Sequence, residues 1–165
     1  IVGFGSIGRV VAKKAHAFGF QCIAYDPMLS GDTIELDGFL VPLLNLNELL
    51  SRSDAVSLHL PYLPETKNLF NATTLDQMKQ GACLINTARG GIVDELALAE
   101  RLRSGRIGGA AIDVFSAEPA KDLSHFSGIE NLILTPHIAG VTQESNERVS
   151  QMIADEVNRY LGAMQ

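Results

Sequence analysis

Residues 3–8 read Gly-Phe-Gly-Ser-Ile-Gly, a G-x-G-x-x-G pattern that follows two apolar residues and opens a helical stretch. In such a turn Gly3 permits the tight bend, Gly5 leaves room for a pyrophosphate beside the backbone, and Gly8 lets the helix pack closely against a sheet. The unpaired N–H groups and the dipole at the start of the helix attract a phosphate. Glycine-rich turns also occur for purely structural reasons, so the surrounding sequence must decide between the two interpretations.

An acidic residue stands where a dinucleotide-binding turn needs one. Asp26 ends the apolar segment 20–25 and lies 18 residues after Gly8, close to the spacing of about 20 residues expected for a carboxylate that binds ribose hydroxyls. That carboxylate would accept from the 2′-hydroxyl of NAD and repel the 2′-phosphate of NADP. The pattern therefore predicts NAD as the cofactor. The alternative is that Asp26 only forms a turn before Pro27.

Apolar and amphipathic segments alternate along the chain, which is typical of a doubly wound α/β fold with a parallel sheet. The predicted strands are the stub 1–2 and segments 20–25, 40–42, 55–60, 82–86, 110–114 and 132–134. The predicted helices are 6–18, 47–51, 74–79, 94–103 and 142–161. The apolar face of the first helix is predicted to contain Ile7 and Phe18. A capping box of Thr74 and Gln77 is predicted to begin the third.

The composition fits one folded domain and argues against several classes of protein. The 165 residues carry a formal net charge of −6 and their Lys and Arg are scattered, so nothing predicts a nucleic-acid interface, which needs clustered cations. No apolar run reaches the roughly 18 residues of a membrane span. Cys22 and Cys83 lie in predicted strands without metal-binding spacing, so we expect buried, reduced thiols in a cytoplasmic protein.

Four further motifs follow predicted strands. They are His59-Leu60-Pro61, Asn86-Thr87-Ala88-Arg89-Gly90-Gly91, segment 111–115 leading to Glu118-Pro119, and Thr135-Pro136-His137-Ile138-Ala139-Gly140. Together with the glycine motif, they resemble the D-isomer-specific 2-hydroxyacid dehydrogenase family, which includes phosphoglycerate dehydrogenases and glyoxylate reductases. The resemblance covers essentially the whole chain. It implies a Rossmann NAD-binding domain, NAD as cofactor and a small 2-hydroxy or 2-oxo acid as substrate.

The resemblance implies a catalytic set of three residues. Arg89 would bind the substrate carboxylate, His137 would be the general acid/base, and Glu118 would be its carboxylate partner. The chemistry fits, because a guanidinium fork matches a carboxylate and an imidazole titrates near neutrality. The carboxyl ends of parallel strands gather at one edge of a sheet, so distant residues can converge there. Taken singly, each of the three could equally be a turn or loop residue.

The resemblance also implies a set of cofactor contacts. Backbone or small side chains expected to approach NAD are those of Gly3, Gly5, Ser6, Ile7, Gly8, Thr87, Ala88, Ala139 and Gly140. Arg89 and His137 would lie at the nicotinamide end, with Asp113 near the carboxamide. His59 and Pro61 would border the adenine side, although His59 could equally make a structural bond at its strand end. No metal site is expected.

Members of this family carry a second, substrate-binding domain, built mainly from chain that precedes the glycine motif. Because this chain opens on Ile1-Val2, we expect residues 1–141 to form the NAD-binding domain with a truncated first strand. Residues 142–165 are expected to form a helix that crosses toward the substrate domain. The isolated chain is then expected to bind NAD but to turn over substrate poorly. A homodimer is expected, as is common in the family.

Two functions are compatible with these motifs. The first is an enzyme that reversibly reduces a 2-oxo acid with NADH to the D-2-hydroxy acid. The alternative is an NAD-sensing interaction module, similar to the transcriptional corepressors of the same family. Formate dehydrogenases share the fold but would carry Gln at the position of Glu118, so they are disfavoured.

Overall fold

The computed structural model describes residues 1–162. Its elements are α1 (Ser6–Ala17), β1 (Thr33–Leu36), β2 (Phe39–Pro42), α2 (Leu46–Arg52), β3 (Ala55–Leu58), α3 (Ala72–Gln77), β4 (Cys83–Asn86), α4 (Glu95–Arg103), β5 (Gly109–Ile112), a 3₁₀ turn (Ser124–Phe126), β6 (Leu132–Leu134) and α5 (Gln143–Gly162). Within this described part, the helices are all too short or too polar to cross a membrane.

A parallel sheet forms the centre of the molecule. Its strands lie in the order β3-β4-β5-β6, and each neighbouring pair is parallel. Isolated parallel bridges extend the sheet beyond β3, because Val2 pairs with Leu58 and Tyr25, and Ala24 pairs with Leu43. Val2, in the predicted strand stub 1–2, therefore lies between Tyr25 and the end of β3. The predicted α/β fold with a parallel sheet is confirmed.

The region before β3 differs from the prediction. Segment 20–25 forms only isolated bridges, whereas β1 and β2 pair as an antiparallel hairpin of which only segment 40–42 was predicted. The two residues between these strands, Asp37 and Gly38, have φ values of 48° and 86°, as a tight two-residue hairpin turn requires. The Asp-Gly pair is thus the sequence signal that could have predicted the hairpin.

Helix α1 packs through its smallest residues rather than through its predicted apolar face. Ile7 and Phe18 are 68% and 84% exposed, and the buried residues of the helix are Gly8 and Ala12. The cause is a close approach, since a Cβ on Gly8 would lie 2.2 Å from the carbonyl oxygen of Gly3. A helix so near to the turn below it has room only for small side chains on that face.

Helix α3 begins earlier than predicted. Its N-cap is Asn71, whose Oδ1 accepts a hydrogen bond from the N–H of Thr74 at 3.2 Å. The predicted capping box of Thr74 and Gln77 is therefore wrong. Asparagine is at least as good an N-cap as threonine, and Asn71 already satisfies the N–H that a helix start leaves free at this position.

The main core joins the sheet to α2, α3 and α4. Its fully buried side chains include Leu49, Leu50, Leu58, Leu75, Leu84, Leu98 and Ile107. Burying one such side chain contributes roughly 1.5–3 kcal/mol. A smaller cluster joins α1 to the β1–β2 hairpin. The sheet is therefore covered well enough to hold the turns at its edge in place.

The two cysteines are free, but they are less buried than predicted. Cys22 is half-buried and Cys83 is exposed. Cys83 is the first residue of β4 and is exposed between the buried Ala82 and Leu84, so an apolar neighbourhood in sequence did not mean burial.

Helix α5 contributes nothing to the core. None of its residues is buried. Its apolar stripe is between 50% and 69% exposed and consists of Val149, Met152, Ile153, Val157, Tyr160 and Leu161. The helix predicted over 142–161 is thus present, shifted by one residue. Residues 163–165 of the predicted segment 142–165 lie outside the described residues.

Candidate active site

The carboxyl ends of the parallel strands meet at one edge of the sheet. Strands β3 to β6 end at Leu58, Asn86, Ile112 and Leu134, and a motif singled out from the sequence follows each of them. We call this edge the rim, formed by the turns 3–8, 59–61, 87–91, 113–119 and 135–140. In open α/β sheets, ligands bind at this edge.

A cleft of about 930 Å³ opens at the rim. Arg89, Glu118 and His137 all line it, so the structure brings together the three residues of the predicted catalytic set. Of the predicted cofactor-binding residues, only Arg89 and His137 line this cleft within residues 1–162. The others lie in neighbouring turns of the rim, apart from Asp26, which follows the bridge between Tyr25 and Val2.

His137 and Glu118 form a direct pair at the cleft. Nδ1 of His137 lies 2.6 Å from Oε2 of Glu118, and the two side chains are 49% and 35% exposed. The other carboxylate oxygen accepts from the backbone N–H of Phe115 at 2.9 Å. The bond to His137, and after it the bond from Phe115, hold the pKa of the Glu118 carboxyl below its usual value. Because Nδ1 faces Glu118, Nε2 is the ring nitrogen left for a ligand.

The buried carboxylate of Asp113 fixes the turn that carries His137. Oδ1 accepts from the Thr135 hydroxyl at 2.5 Å and from the Ile138 N–H at 2.8 Å, and Oδ2 accepts from the Ala139 N–H at 3.0 Å. His137 donates its own N–H to the Asp113 carbonyl and has a φ of 57°, which is uncommon outside glycine. Burial acts to raise the pKa of Asp113, but the three hydrogen bonds outweigh it and the pKa lies below its usual value.

Close backbone contacts set the position of Arg89. The buried Asn86 side chain accepts from the N–H of Ala88 and donates to the carbonyl of Arg89, both at 3.1 Å. Arg89 Nη1 donates to the Ala88 carbonyl at 2.6 Å. A Cβ on Gly90 would lie 1.7 Å from the carbonyl oxygen of Phe115. Glycine is therefore required where the Arg89 turn touches the turn after β5.

The glycine turn keeps its helix start open. Gly3 has a φ of 89° and a Cβ there would lie 2.5 Å from the His59 carbonyl oxygen, whereas a Cβ on Gly5 would meet no atom within 4 Å. Gly5 is the N-cap of α1 and supplies no side-chain cap, and the first turn holds no acidic residue. The helix start therefore offers the N–H groups of Ser6 and Ile7, and its dipole, to an anion. This arrangement fits a pyrophosphate.

Asp26 contacts two backbone N–H groups. Oδ1 accepts from Met28 at 2.9 Å, which is the turn-forming role considered from the sequence, and Oδ2 accepts from Phe4 at 2.8 Å. The second bond holds the carboxylate against the glycine turn, where a ribose-binding acid is required. Each carboxylate oxygen has a further lone pair, so the turn-forming role and a ribose contact are compatible.

His59 makes a structural bond of the kind that the sequence left open. Its Nε2 lies 2.9 Å from Oγ of Ser57. Burial lowers the pKa of this imidazole. The Pro61 carbonyl accepts from the Thr66 hydroxyl at 2.7 Å. Contacts of His59 and Pro61 with a cofactor stay a prediction.

Several residues of the cleft were not expected from the sequence. They are Tyr62, Lys67, Asn68, Val93, Asp94, Glu95, Leu96, Ser116, Asp122 and His125. His125 has no predicted role, yet its Nε2 lies 3.2 Å from Oε2 of Glu95. Contacts of this kind join segments far apart in the chain, so no local sequence pattern predicts them. The position of Glu95 in the first turn of α4 could have been predicted, because Asp94 is the N-cap of that helix.

Residues 1–139 match the family model described as D-isomer specific 2-hydroxyacid dehydrogenase, NAD binding domain. The chain therefore belongs to this family of NAD-binding domains. The match confirms the predicted family and, with it, NAD as the predicted cofactor. Helix α5 lies beyond the matched residues.

Similar proteins extend the comparison to whole enzymes. (S)-Sulfolactate dehydrogenase from Chromohalobacter salexigens is 49% identical, over 98% of this chain and 52% of the relative. Glycerate dehydrogenase from Methylorubrum extorquens is 40% identical, over 98% of this chain and 49% of the relative. The NAD complexed form of D-isomer specific 2-hydroxyacid dehydrogenase from Lactobacillus delbrueckii ssp. bulgaricus has a TM-score of 0.85 at 32% identity, over 98% of this chain and 52% of that one. The chain spans about half the length of these relatives.

Proposed function

We propose that this chain is the NAD-binding half of an oxidoreductase that transfers a hydride between NAD(H) and a D-2-hydroxy acid or the matching 2-oxo acid. The observation that carries the proposal is the meeting of Arg89, Glu118 and His137 in one cleft at the rim. A cation for the carboxylate, a proton donor and a carboxylate that supports it are the groups this reduction requires. The dehydrogenase names of the relatives support the same chemistry.

The glycine turn is the proposed cofactor cradle. The N–H groups of Ser6, Ile7 and Gly8 would hold the pyrophosphate, with Gly3 and Gly5 keeping the approach clear. Asp26 would accept the ribose hydroxyls and disfavour NADP. His59 and Pro61 would border the adenine side.

The nicotinamide end is proposed to lie at the opposite part of the rim. Residues that would flank the ring there are Thr87, Ala88, Asp113, Ala139 and Gly140. Asp113 would lie near the carboxamide while its carboxylate keeps the His137 turn in place. Bound NADH supplies the hydride for the reaction.

Each of the three cleft residues has its own proposed role in binding the substrate or transferring the proton. Arg89 would bind the substrate carboxylate bidentately and so point the C2 carbonyl toward His137. In the reduction, the proton on Nε2 of His137 passes to the carbonyl oxygen as C2 receives the hydride, and the oxidation returns it. Glu118, at 2.6 Å from Nδ1, stabilises the imidazolium and fixes the ring.

The wider organisation follows from the same proposal. Residues 1–141 would form the NAD-binding domain and 142–165 the helix that crosses toward a substrate-binding domain, in a cytoplasmic homodimer. The relatives' names point to small 2-hydroxy acids as the substrate class. No observation on the described residues favours the NAD-sensing alternative.

Thermal unfolding of the chain with added nucleotide tests cofactor binding. At a ligand concentration about one hundred times Kd, binding stabilises the folded state by about 2.7 kcal/mol and raises Tm by roughly 5–10 °C. We expect this rise with NADH and a much smaller one with NADPH. Equal rises would contradict the role of Asp26, and no rise with either would contradict the cradle.

Steady-state assay with a panel of 2-oxo acids tests the chemistry. In the complete protein, we expect His137→Gln to lower kcat by roughly 10²–10⁴-fold with little change in the KM for NADH, because the imidazole acts on the substrate. Failure of the wild type to oxidise NADH with every acid in the panel would contradict the proposed activity and favour the NAD-sensing alternative.

A further inference from the structure

Glu95 reaches away from its own helix to a turn of the rim. It is the first residue of α4, and its side chain is 14% exposed. Its Oε1 accepts both the backbone N–H and the hydroxyl of Ser116, each at 2.7 Å. An acidic residue in the first helical turn is favoured by the helix dipole alone. That preference does not explain why this carboxylate takes both donors of a residue 21 positions away.

Ser116 stands in the short turn that delivers Glu118. On one side of it, the Phe115 carbonyl packs against Gly90, where a Cβ would lie 1.7 Å away. The turn also closes on itself, because Oε1 of Glu118 accepts from the Phe115 N–H at 2.9 Å. The turn is thus held by Gly90, by Glu95 and by its own internal bond, and Oε2 of Glu118 is left to reach His137.

Helix α4 also holds the far end of the same loop. His125 Nε2 lies 3.2 Å from the second carboxylate oxygen of Glu95, near enough for an ion pair but without the geometry of a hydrogen bond. At the end of the helix, Arg103 donates to the His125 carbonyl at 2.6 Å and to the Ser127 carbonyl at 3.4 Å. Both ends of the loop 116–127 are therefore fastened to one rigid element, with Glu95 at the end nearer to the cleft.

We propose that Glu95 is a positioning residue of the candidate active site, which holds Ser116 so that Glu118 stays against His137. This role rests on the proposed function for its meaning in catalysis, but the placement itself concerns only the folded chain. A merely structural Glu95 would stabilise α4 and its neighbours without controlling the carboxylate of Glu118.

Titration of the Glu118 carboxyl by carbon-detected NMR separates the two possibilities. The charged groups and donors that act on this carboxyl are His137, the Phe115 N–H and the repelling charge of Asp113. In Glu95→Ala the turn loses its anchor, so we expect the pKa of Glu118 to rise toward the ordinary value of about 4.3. Loss of a nearby negative charge alone would shift the pKa of Glu118 in the opposite direction, so the sign of the change is diagnostic.

Matched variants complete the test. Glu95→Gln keeps an oxygen that accepts from Ser116 but loses the negative charge, so the pKa of Glu118 should stay at or slightly below its wild-type value instead of rising. Glu100→Ala removes an exposed acid from the same helix, whose partner is the neighbouring Arg101, and should leave the titration of Glu118 unchanged. If Glu95→Ala fails to fold, Ser116→Ala removes one of the two donors and should shift the titration upward by less. A folded Glu95→Ala, or else Ser116→Ala, with the wild-type titration would overturn the proposal. NADH-dependent stabilisation of the same variants reports on the proposed function separately.

Discussion

The glycine turn and the His137 turn both connect a parallel strand to the rim, yet they are held in shape by opposite means. At the glycine turn, side chains are missing where they would collide: a Cβ on Gly3 or Gly8 would lie within 2.5 Å of a backbone oxygen. At the His137 turn, a buried side chain fixes the backbone, because Asp113 accepts hydrogen bonds from two backbone N–H groups and a hydroxyl.

This difference has a chemical consequence. The glycine turn leaves its N–H groups without a side-chain cap, so they are available to a phosphate. The His137 turn uses its N–H groups internally, so it presents a fixed imidazole instead of an anion site. One turn leaves N–H groups open to a charged ligand, and the other holds an imidazole beside a carboxylate.

The largest effect is expected from adding a methyl group to the glycine turn. Gly8→Ala places a Cβ 2.2 Å from a backbone oxygen, so α1 must move, at a cost of about 3 kcal/mol. Gly5→Ala meets no protein atom within 4 Å, so it should change stability little and yet abolish NADH binding. Urea unfolding and NADH titration of both variants measure this. Tight NADH binding by Gly5→Ala would contradict the cradle.

A smaller loss of stability is expected at the His137 turn. Asp113→Asn replaces one acceptor by an amide that faces a backbone N–H, at a cost of about 2 kcal/mol. Thr135→Val removes one hydrogen bond to the same carboxylate and should cost about 1 kcal/mol. Equilibrium unfolding in urea gives both values. Equal, negligible losses would show that Asp113 does not hold this turn.

The smallest effect is the dependence of stability on pH. The pKa values of Asp113 and Glu118 are lowered in the folded chain, so their ionised forms stabilise the fold above the unfolded pKa values of about 3.9 and 4.3. This contribution is lost as the pH falls through the lower, folded pKa values. We expect the free energy of unfolding to fall below about pH 4 and to fall less in Asp113→Asn. Parallel curves for the two proteins would exclude a contribution from Asp113.

The glycine turn and the common edge of the strands could be predicted, because both depend on residues close together in the sequence. The spacing of Gly3, Gly5 and Gly8 indicated the turn, and the position of Arg89 and His137 after strands indicated a common edge. The glycine spacing reflects local backbone geometry, and the parallel sheet is indicated by the alternation of apolar and amphipathic segments.

The rest depended on how closely distant segments approach each other. The buried face of α1 is set by the contact of Gly8 with Gly3, which no helical periodicity reveals. The bond from Ser116 to Glu95 joins two segments that are 21 residues apart, and His125 is held through its carbonyl by Arg103. The β1–β2 hairpin is different, since Asp37-Gly38 carried its signal.

The most direct test is an NADH titration followed by the NMR signals of the His137 ring and the Arg89 side chain. The nicotinamide should lie beside both, so we expect their signals to shift on saturation in the wild type and to stay unchanged in Gly5→Ala. If NADH stabilises the wild-type chain while the signals of His137 and Arg89 do not move, the cleft and the cofactor cradle are separate sites, and the proposed catalytic set is wrong.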